Sequence, residues 1–180
     1  MSTIENITFD ELEIGQKAEY TRTINEEEIL LFAKVSGDTN PVHLDEAYAA
    51  TTQFGGRIAH GMLTGALISA AVALNMPGPG SIYLGQTMKF RAPVMIGDTL
   101  TVKLEVISKR EGKNIAIIDC NVVNQHGKTV VKGEATALVP TEKLVVETIE
   151  LPPITIGRSN FNMLNNKLQR LITLPLTLSR

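Results

Sequence analysis

An acid and an imidazole stand five residues apart in this sequence, in a segment that also contains an Asn-Pro pair. Residues 36–43 have the sequence SGDTNPVH. Pro41 fixes its own backbone and restricts the residue before it, so the turn is stiff enough to direct two side chains towards one point. The carboxylate of Asp38 and the imidazole of His43 could share one water and act as a paired general base and acid. The alternative on local chemistry is that Asp38 is a turn residue and His43 a buried structural histidine.

The start of an apolar stretch offers a second reactive group, a backbone N–H. Residues 59–62 are AHGM, and Gly61 opens a run that is predicted to be helical. A helix N-terminus presents unpaired N–H groups, and a glycine lets a substrate approach them, so this N–H could bind a carbonyl oxygen that becomes an enolate. Gly61 could equally serve close packing of the helix against a strand. Ser69 lies about two turns further along, near the Gly61 face, where a serine commonly bonds a backbone carbonyl.

The elements that must position these groups begin with a strand and three helices. Asn25 followed by Glu28 is a helix start, and Gly37 is a helix stop. The predicted elements are a strand at 17–24, a helix from Asn25 to Gly37, a short helix at 45–52 and a long helix at 61–76. The long helix is apolar nearly all round, so it is expected to be enclosed by protein on most sides.

After Gly80 the apolar residues alternate with a period of two, which is typical of strands. Four such runs begin at Ile82, Leu100, Ala116 and Val131, and the turns between the last three contain Glu111-Gly112 and His126-Gly127. This pattern predicts an α+β fold in which a curled antiparallel sheet wraps the long apolar helix.

The sequence after Pro140 looks like a separate appendage. Pro152-Pro153 is a linker signal, and residues 160–172 could form an amphipathic helix. We therefore predict a domain at 1–140 and a C-terminal appendage of open role at 141–180.

Composition excludes several classes of function. Lys+Arg 17 against Asp+Glu 19 gives a net charge of −2, which argues against nucleic acid as the main partner. The single cysteine excludes an intrachain disulfide framework and a multi-cysteine metal site. The apolar stretch at 63–76 is shorter than the roughly 20 residues of a membrane-spanning helix. We expect a soluble, cytoplasmic protein with no membrane partner.

Several segments together resemble one enzyme family. They are FAKVSGDTNPVHLD at 32–45, HGML at 60–63, GSIYLGQ at 80–86 and FRAPV at 90–94. In order and spacing these segments are similar to the MaoC-like (R)-specific enoyl-CoA hydratases, of the single-hotdog type that supplies monomers for polyhydroxyalkanoate synthesis. The resemblance covers about residues 8–139.

The resemblance implies a hotdog fold and the reversible hydration of trans-2-enoyl-CoA to (R)-3-hydroxyacyl-CoA. It implies that Asp38 takes a proton from water, that His43 orients this water and handles proton transfer to C2, and that the Gly61 N–H binds the thioester carbonyl. Neither a metal nor another cofactor is expected. The supporting residues that it suggests are Ser69 and Asn40 as neighbours of the acid, Val72 and Ala137 in the acyl pocket, and His60 in a structural role at the helix entry. Arg91 either faces the CoA phosphates or is a solvent-exposed strand residue.

Two other functions remain open on the sequence: a dehydratase acting on acyl-carrier thioesters, and a non-catalytic acyl-CoA-binding or sensor module. The intact pair of Asp38 and His43 argues against the second. A homodimer is expected in each case, because one small sheet leaves exposed edges and an apolar helix incompletely covered.

Overall fold

Seven strands and four helices follow one another in the part of the chain that the computed structural model describes, residues 2–152 and 154. The strands are β1 (Thr3–Glu5), β2 (Lys17–Thr23), β3 (Ile82–Phe90), β4 (Thr99–Arg110), β5 (Ile115–Val123), β6 (Thr129–Leu138) and β7 (Val145–Glu147). The helices are α1 (Glu26–Ser36), α2 (Pro41–Leu44), α3 (Glu46–Ala50) and α4 (Gly61–Leu74). Among these residues no helix combines the length and the apolar character needed to cross a membrane. The helix predicted at 160–172 lies outside the described residues.

Helix α1 has the boundaries that its capping residues predict. The backbone N–H of Asn25 donates to Glu28 Oε2 at 3.0 Å, which satisfies a group that the helix itself leaves unpaired. At the other end Gly37 adopts φ 76°, a left-handed conformation that costs a glycine little. The chain therefore leaves α1 in a defined direction just before Asp38.

Five strands form one antiparallel sheet in the order β2-β4-β5-β6-β3. Strands β4, β5 and β6 are neighbours both in sequence and in space, as their hairpin turns predict. Strand β3 pairs with β6 and not with β4, which follows it in sequence, so residues 91–98 carry the chain from the edge back to the other side of β5 and β6. The early predicted strand joins the sheet beside β4 as β2.

Helix α4 lies against the inner face of this sheet. It buries Leu63, Leu67, Ile68, Ala71 and Val72 in a core shared with alternating residues of β4, β5 and β6. Each fully buried aliphatic side chain of this kind contributes about 1.5–3 kcal/mol. The opposite side of α4 is exposed within the single chain, and Met62, Ala66 and Ser69 lie on it. The helix expected to be enclosed on most sides is thus covered on one face only.

The first and last strands close a second, two-stranded sheet, in which β1 pairs antiparallel with β7. Asn6 is fully buried beside it and needs partners for its amide. Its side chain donates to the Glu142 carbonyl and accepts from the Leu144 N–H, both at 2.9 Å. The first compact unit runs to Ile149, nine residues beyond the boundary predicted at Pro140.

Candidate active site

The turn after α1 holds the carboxylate of Asp38 through short local contacts. The Asn40 N–H donates to Asp38 Oδ1 at 3.2 Å, and the Asp38 N–H donates to Ser36 Oγ at 3.2 Å. Asn40 in turn caps α2, since its Oδ1 accepts from the Val42 N–H at 3.2 Å. Asn40 therefore links the acid to the short helix that carries His43, while the Asp38 side chain stays 52% exposed and open to water.

His43 is held in one orientation by a backbone carbonyl. Its ring is buried, and Nδ1 lies 2.8 Å from the Ile58 carbonyl oxygen. Because a carbonyl can only accept, Nδ1 carries the hydrogen and Nε2 is the nitrogen left to face Asp38. Nε2 lies 3.9 Å from Asp38 Oδ2, too far for a direct hydrogen bond. One water with two hydrogen bonds of about 2.8 Å bridges a gap of roughly this size.

His60, the residue before α4, lies underneath this pair. Its Nε2 is 3.0 Å from the Asp38 carbonyl oxygen, and its ring stacks on that of His43 with the centroids 3.8 Å apart. The ring is buried, and its Nδ1 has no hydrogen-bond partner among the described residues. Burial lowers the pKa of His60 below its ordinary 6.5, the bond to Asp38 partly offsets this, and nearby His43 lowers it further. His60 is therefore neutral near pH 7, with its hydrogen on Nε2.

The same three side chains also offer atoms that could ligate a metal, all within 4.8 Å of one another. Each histidine already donates one ring N–H to a carbonyl, and the two rings are inclined by only 29°. Stacked rings point their nitrogen lone pairs along nearly parallel planes and not towards one ion at about 2.0–2.1 Å. The arrangement fits a water shared by Asp38 and His43 better than a coordinated metal.

A cavity of about 330 Å³ opens beside His43. It is lined also by Phe54, Ile58, Ala59, Gly61, Thr64, Phe90, Arg91, Ala92, Pro93, Val94 and Val131. Gly61 is the first residue of α4, whose early N–H groups have no acceptor within the helix. A Cβ at this position would lie 2.9 Å from Phe90 Cε1, so the glycine keeps the wall of the cavity open. Two predicted site residues, Gly61 and Arg91, thus share one cavity with His43.

Comparison with known proteins identifies the family. Residues 10–129 match the family model described as MaoC like domain. The chain belongs to this family. It is 47% identical over 134 residues to an (R)-specific enoyl-CoA hydratase of Rhodospirillum rubrum, which covers 73% of this chain and 91% of that protein.

Two solved structures show the same fold as this MaoC-like chain. The R-hydratase PhaJ1 from Pseudomonas aeruginosa has a TM-score of 0.83 at 62% identity and covers 87% of this chain and 100% of that one. The (R)-hydratase from Aeromonas caviae, described as involved in PHA biosynthesis, has a TM-score of 0.70 at 45% identity. The match covers 72% of this chain and 98% of that one. The predicted hotdog fold is confirmed.

Three further predicted residues of this MaoC-like chain lie apart from the pair. Ser69 is about 12 Å along α4 from Gly61 and sits on the exposed face of the helix. The hydrogen bonds found among the described residues do not join Ser69 to Asp38. Val72 and Ala137 are buried in the core between helix and sheet, and neither lines the cavity.

One supporting residue escaped the sequence analysis. Arg57 makes two 2.7 Å bonds to the carboxylate of Glu26 and one of 3.2 Å to Glu46, and its side chain is only 11% exposed. The bond to Glu26 raises the pKa of Arg57. These bonds anchor the loop that includes the next residue, Ile58, whose carbonyl accepts the hydrogen bond from His43 Nδ1–H. In the sequence Arg57 is one of 17 Lys and Arg residues, with nothing to mark it.

Proposed function

We infer that this chain catalyses the reversible hydration of trans-2-enoyl-CoA to (R)-3-hydroxyacyl-CoA. The observation that carries this inference is the 3.9 Å gap between Asp38 Oδ2 and His43 Nε2. The gap has the size for one water, and His43 lines the same cavity as Gly61. The (R)-specific enoyl-CoA hydratase of Rhodospirillum rubrum is nearly half identical to this chain, which supports the same assignment.

The proposed reaction begins with Asp38 ionised and His43 protonated. The imidazolium Nε2–H donates to the water oxygen, and the water donates one hydrogen to Asp38 Oδ2. As the water oxygen forms its bond to C3, the O–H bond breaks and Asp38 takes that proton. The double-bond electrons move towards the thioester, and C2 receives the proton from His43 Nε2. Transfer of a proton from Asp38 back to His43 resets the pair for the next turnover.

Gly61 is the proposed binding point of the thioester oxygen. Negative charge develops on that oxygen during attack at C3, and an N–H at the positive end of a 14-residue helix stabilises it. The thioester and this N–H supply the polarisation, so the proposal includes no metal or other cofactor. Arg91 is exposed at the same cavity, where we propose that it faces the CoA phosphates.

Short to medium acyl chains are the proposed substrates. We propose that the acyl chain extends from the cavity towards Val72 and Ala137, two small side chains of the core that α4 and the sheet share. The Aeromonas caviae (R)-hydratase is described as taking part in PHA biosynthesis. We propose the same supply of (R)-3-hydroxyacyl-CoA monomers for this chain.

We place it in the cytoplasm, where its unpaired, buried Cys120 suits a reducing compartment.

We propose that the working form is a homodimer joined along β3. This strand is an edge of the sheet, and its first seven residues carry no charge. Ile82 and Leu84 on it are 55% and 51% exposed. The other edge, β2, is protected by charged residues such as Lys17 and Glu19. A second copy on β3 would also cover the exposed face of α4, where Ser69 lies.

The decisive assay follows the enoyl-thioester absorbance on adding crotonyl-CoA, with chiral analysis of the product. Loss of absorbance with formation of (R)-3-hydroxybutyryl-CoA is expected. An (S) product would overturn the assignment even with rapid turnover. Binding of acyl-CoA esters without turnover at any of several chain lengths would identify a binding module. Turnover only of acyl-carrier thioesters would identify a dehydratase.

A further inference from the structure

We propose that His60 is a positioning residue of the hydration site, which holds Asp38 and His43 at the separation that one water spans. This proposal rests on the roles assigned to Asp38 and His43 above. It goes beyond the sequence, which suggested only a structural role at the helix entry. Two contacts carry the proposal: the hydrogen bond from His60 Nε2 to the Asp38 carbonyl and the stacking of His60 on His43.

The hydrogen bond fixes the backbone of the catalytic acid. The turn at Asp38 belongs to no helix or strand. In the part of the chain that the structure describes, the one hydrogen bond to its carboxylate comes from the Asn40 N–H, and the side chain is open to solvent. A donor from a rigid element anchors this turn better than its own local contacts do. His60 is such a donor, because it is buried and directly precedes the longest helix among the described residues.

The stacked ring of His60 holds the imidazole of His43 in place. With the centroids 3.8 Å apart, His43 cannot tilt towards the core without displacing His60. Phe32 supports His60 at a centroid distance of 5.1 Å. Burial and the nearby His43 lower the pKa of His60, which keeps it a neutral donor to the Asp38 carbonyl. The unpartnered Nδ1 of His60 fits a residue kept for its position, since an apolar ring would avoid that cost.

Two substitutions separate the hydrogen bond from the ring. His60→Phe keeps an aromatic ring between Phe32 and His43 but loses the donor. His60→Gln loses the ring but places an amide N–H where Nε2 was. For His60→Phe we expect kcat to fall by about 10–10²-fold with little change in KM, because a displacement of about 1 Å at the reacting groups costs on this order. We expect His60→Gln to keep kcat within about threefold of wild type.

The control is His126→Gln, a change of the same kind at an exposed hairpin residue, for which unchanged kinetics are expected. Circular dichroism and thermal unfolding check that each variant is folded. If His60→Phe does not fold, the test passes to His60→Ala, which removes both the hydrogen bond and the stacked ring; a folded His60→Ala that keeps the wild-type kcat would overturn the proposal. The proposal is also overturned if folded His60→Phe keeps the wild-type kcat.

A double variant distinguishes failure of this proposal from failure of the proposed function. If His60 acts through Asp38, His60→Phe should cause little further loss once Asp38→Asn is present. Full additivity of the two losses would overturn the positioning role alone. An Asp38→Asn variant as active as wild type would instead refute the role of the acid, and the positioning role would fall with it.

Discussion

Substitution of Gly61 by alanine should separate activity from stability at the start of α4. The new Cβ would lie 2.9 Å from Phe90 Cε1 and 3.1 Å from Cζ. Carbon atoms in contact prefer about 3.5–4.0 Å, so the ring must retreat by roughly 0.6–1.1 Å. The Phe90 side chain is about half exposed and can move outwards at small cost. Alanine is also the better helix former, by up to about 1 kcal/mol.

The same movement changes the cavity that Gly61 and Phe90 line together. The methyl group stands beside the N–H proposed to bind the thioester oxygen, and a displacement of about 1 Å there costs on the order of 10²-fold in rate. We therefore expect kcat/KM of Gly61→Ala for crotonyl-CoA to fall by about 10²-fold. The melting temperature should stay within about 3 °C of wild type.

Gly65→Ala is the matched control, one turn further along α4. Its Cβ would meet the flexible end of Met88 at 3.1 Å, and Gly65 does not line the cavity. Its activity should remain near that of wild type. The reasoning is refuted if Gly61→Ala keeps more than about half of the wild-type kcat/KM, or if the two variants lose activity equally.

Three further predictions concern assembly, boundaries and pH. Leu84→Lys places a charge on the edge strand β3 and should convert the proposed dimer to a monomer, as measured by light scattering. A dimer that persists in this variant would contradict an interface along β3. A chain ending at Ile149 should fold. A chain ending at Pro140 lacks both hydrogen-bond partners of the buried Asn6 side chain, so its free energy of unfolding, measured in urea, should be lower by at least about 1–3 kcal/mol. Equal free energies of unfolding for the two chains would contradict this. The pKa of His60 is lowered in the folded state, so near pH 6.5 the unfolded state binds a proton on this residue and the folded state does not. The free energy of unfolding should therefore be retained above about pH 6.5 and fall below it. His60→Phe should flatten that slope in denaturation at several pH values, and an unchanged slope would refute the assignment.

Local signals in the sequence were sufficient for α1 and α4 but not for α2, the four-residue helix that carries His43, since the short helix was predicted only from residue 45. Asn25 and Gly37 mark the ends of α1, and Gly61 the start of α4, because capping depends on neighbouring residues. The period of two likewise predicts strands, since alternation reports which face is buried. The family resemblance then pointed to Asp38 and His43, whose carboxylate and imidazole lie 3.9 Å apart in the fold.

Features that depend on distant pairings were not predictable in this way. Nothing in the alternation of β3 says that its partner is β6, since every strand of the sheet has a similar inner face. The three residues of β7 are too few to show a period, and their pairing with β1 joins opposite ends of the unit. His60 and Arg57 gain their roles from contacts 22 and 31 residues away in sequence, to Asp38 and Glu26.

The central claim is that Asp38 and His43 act together on one water, and a double-variant cycle in steady-state kinetics tests it most directly. Asp38→Asn removes the base while keeping its size, and His43→Gln removes the proton-transferring ring. Each should lower kcat for crotonyl-CoA hydration by about 10²–10⁴-fold with circular dichroism unchanged. The double variant should be hardly worse than the poorer single one, because both losses disable the same step. Multiplying losses, or an Asp38→Asn variant that keeps more than about a tenth of the activity, would contradict the account.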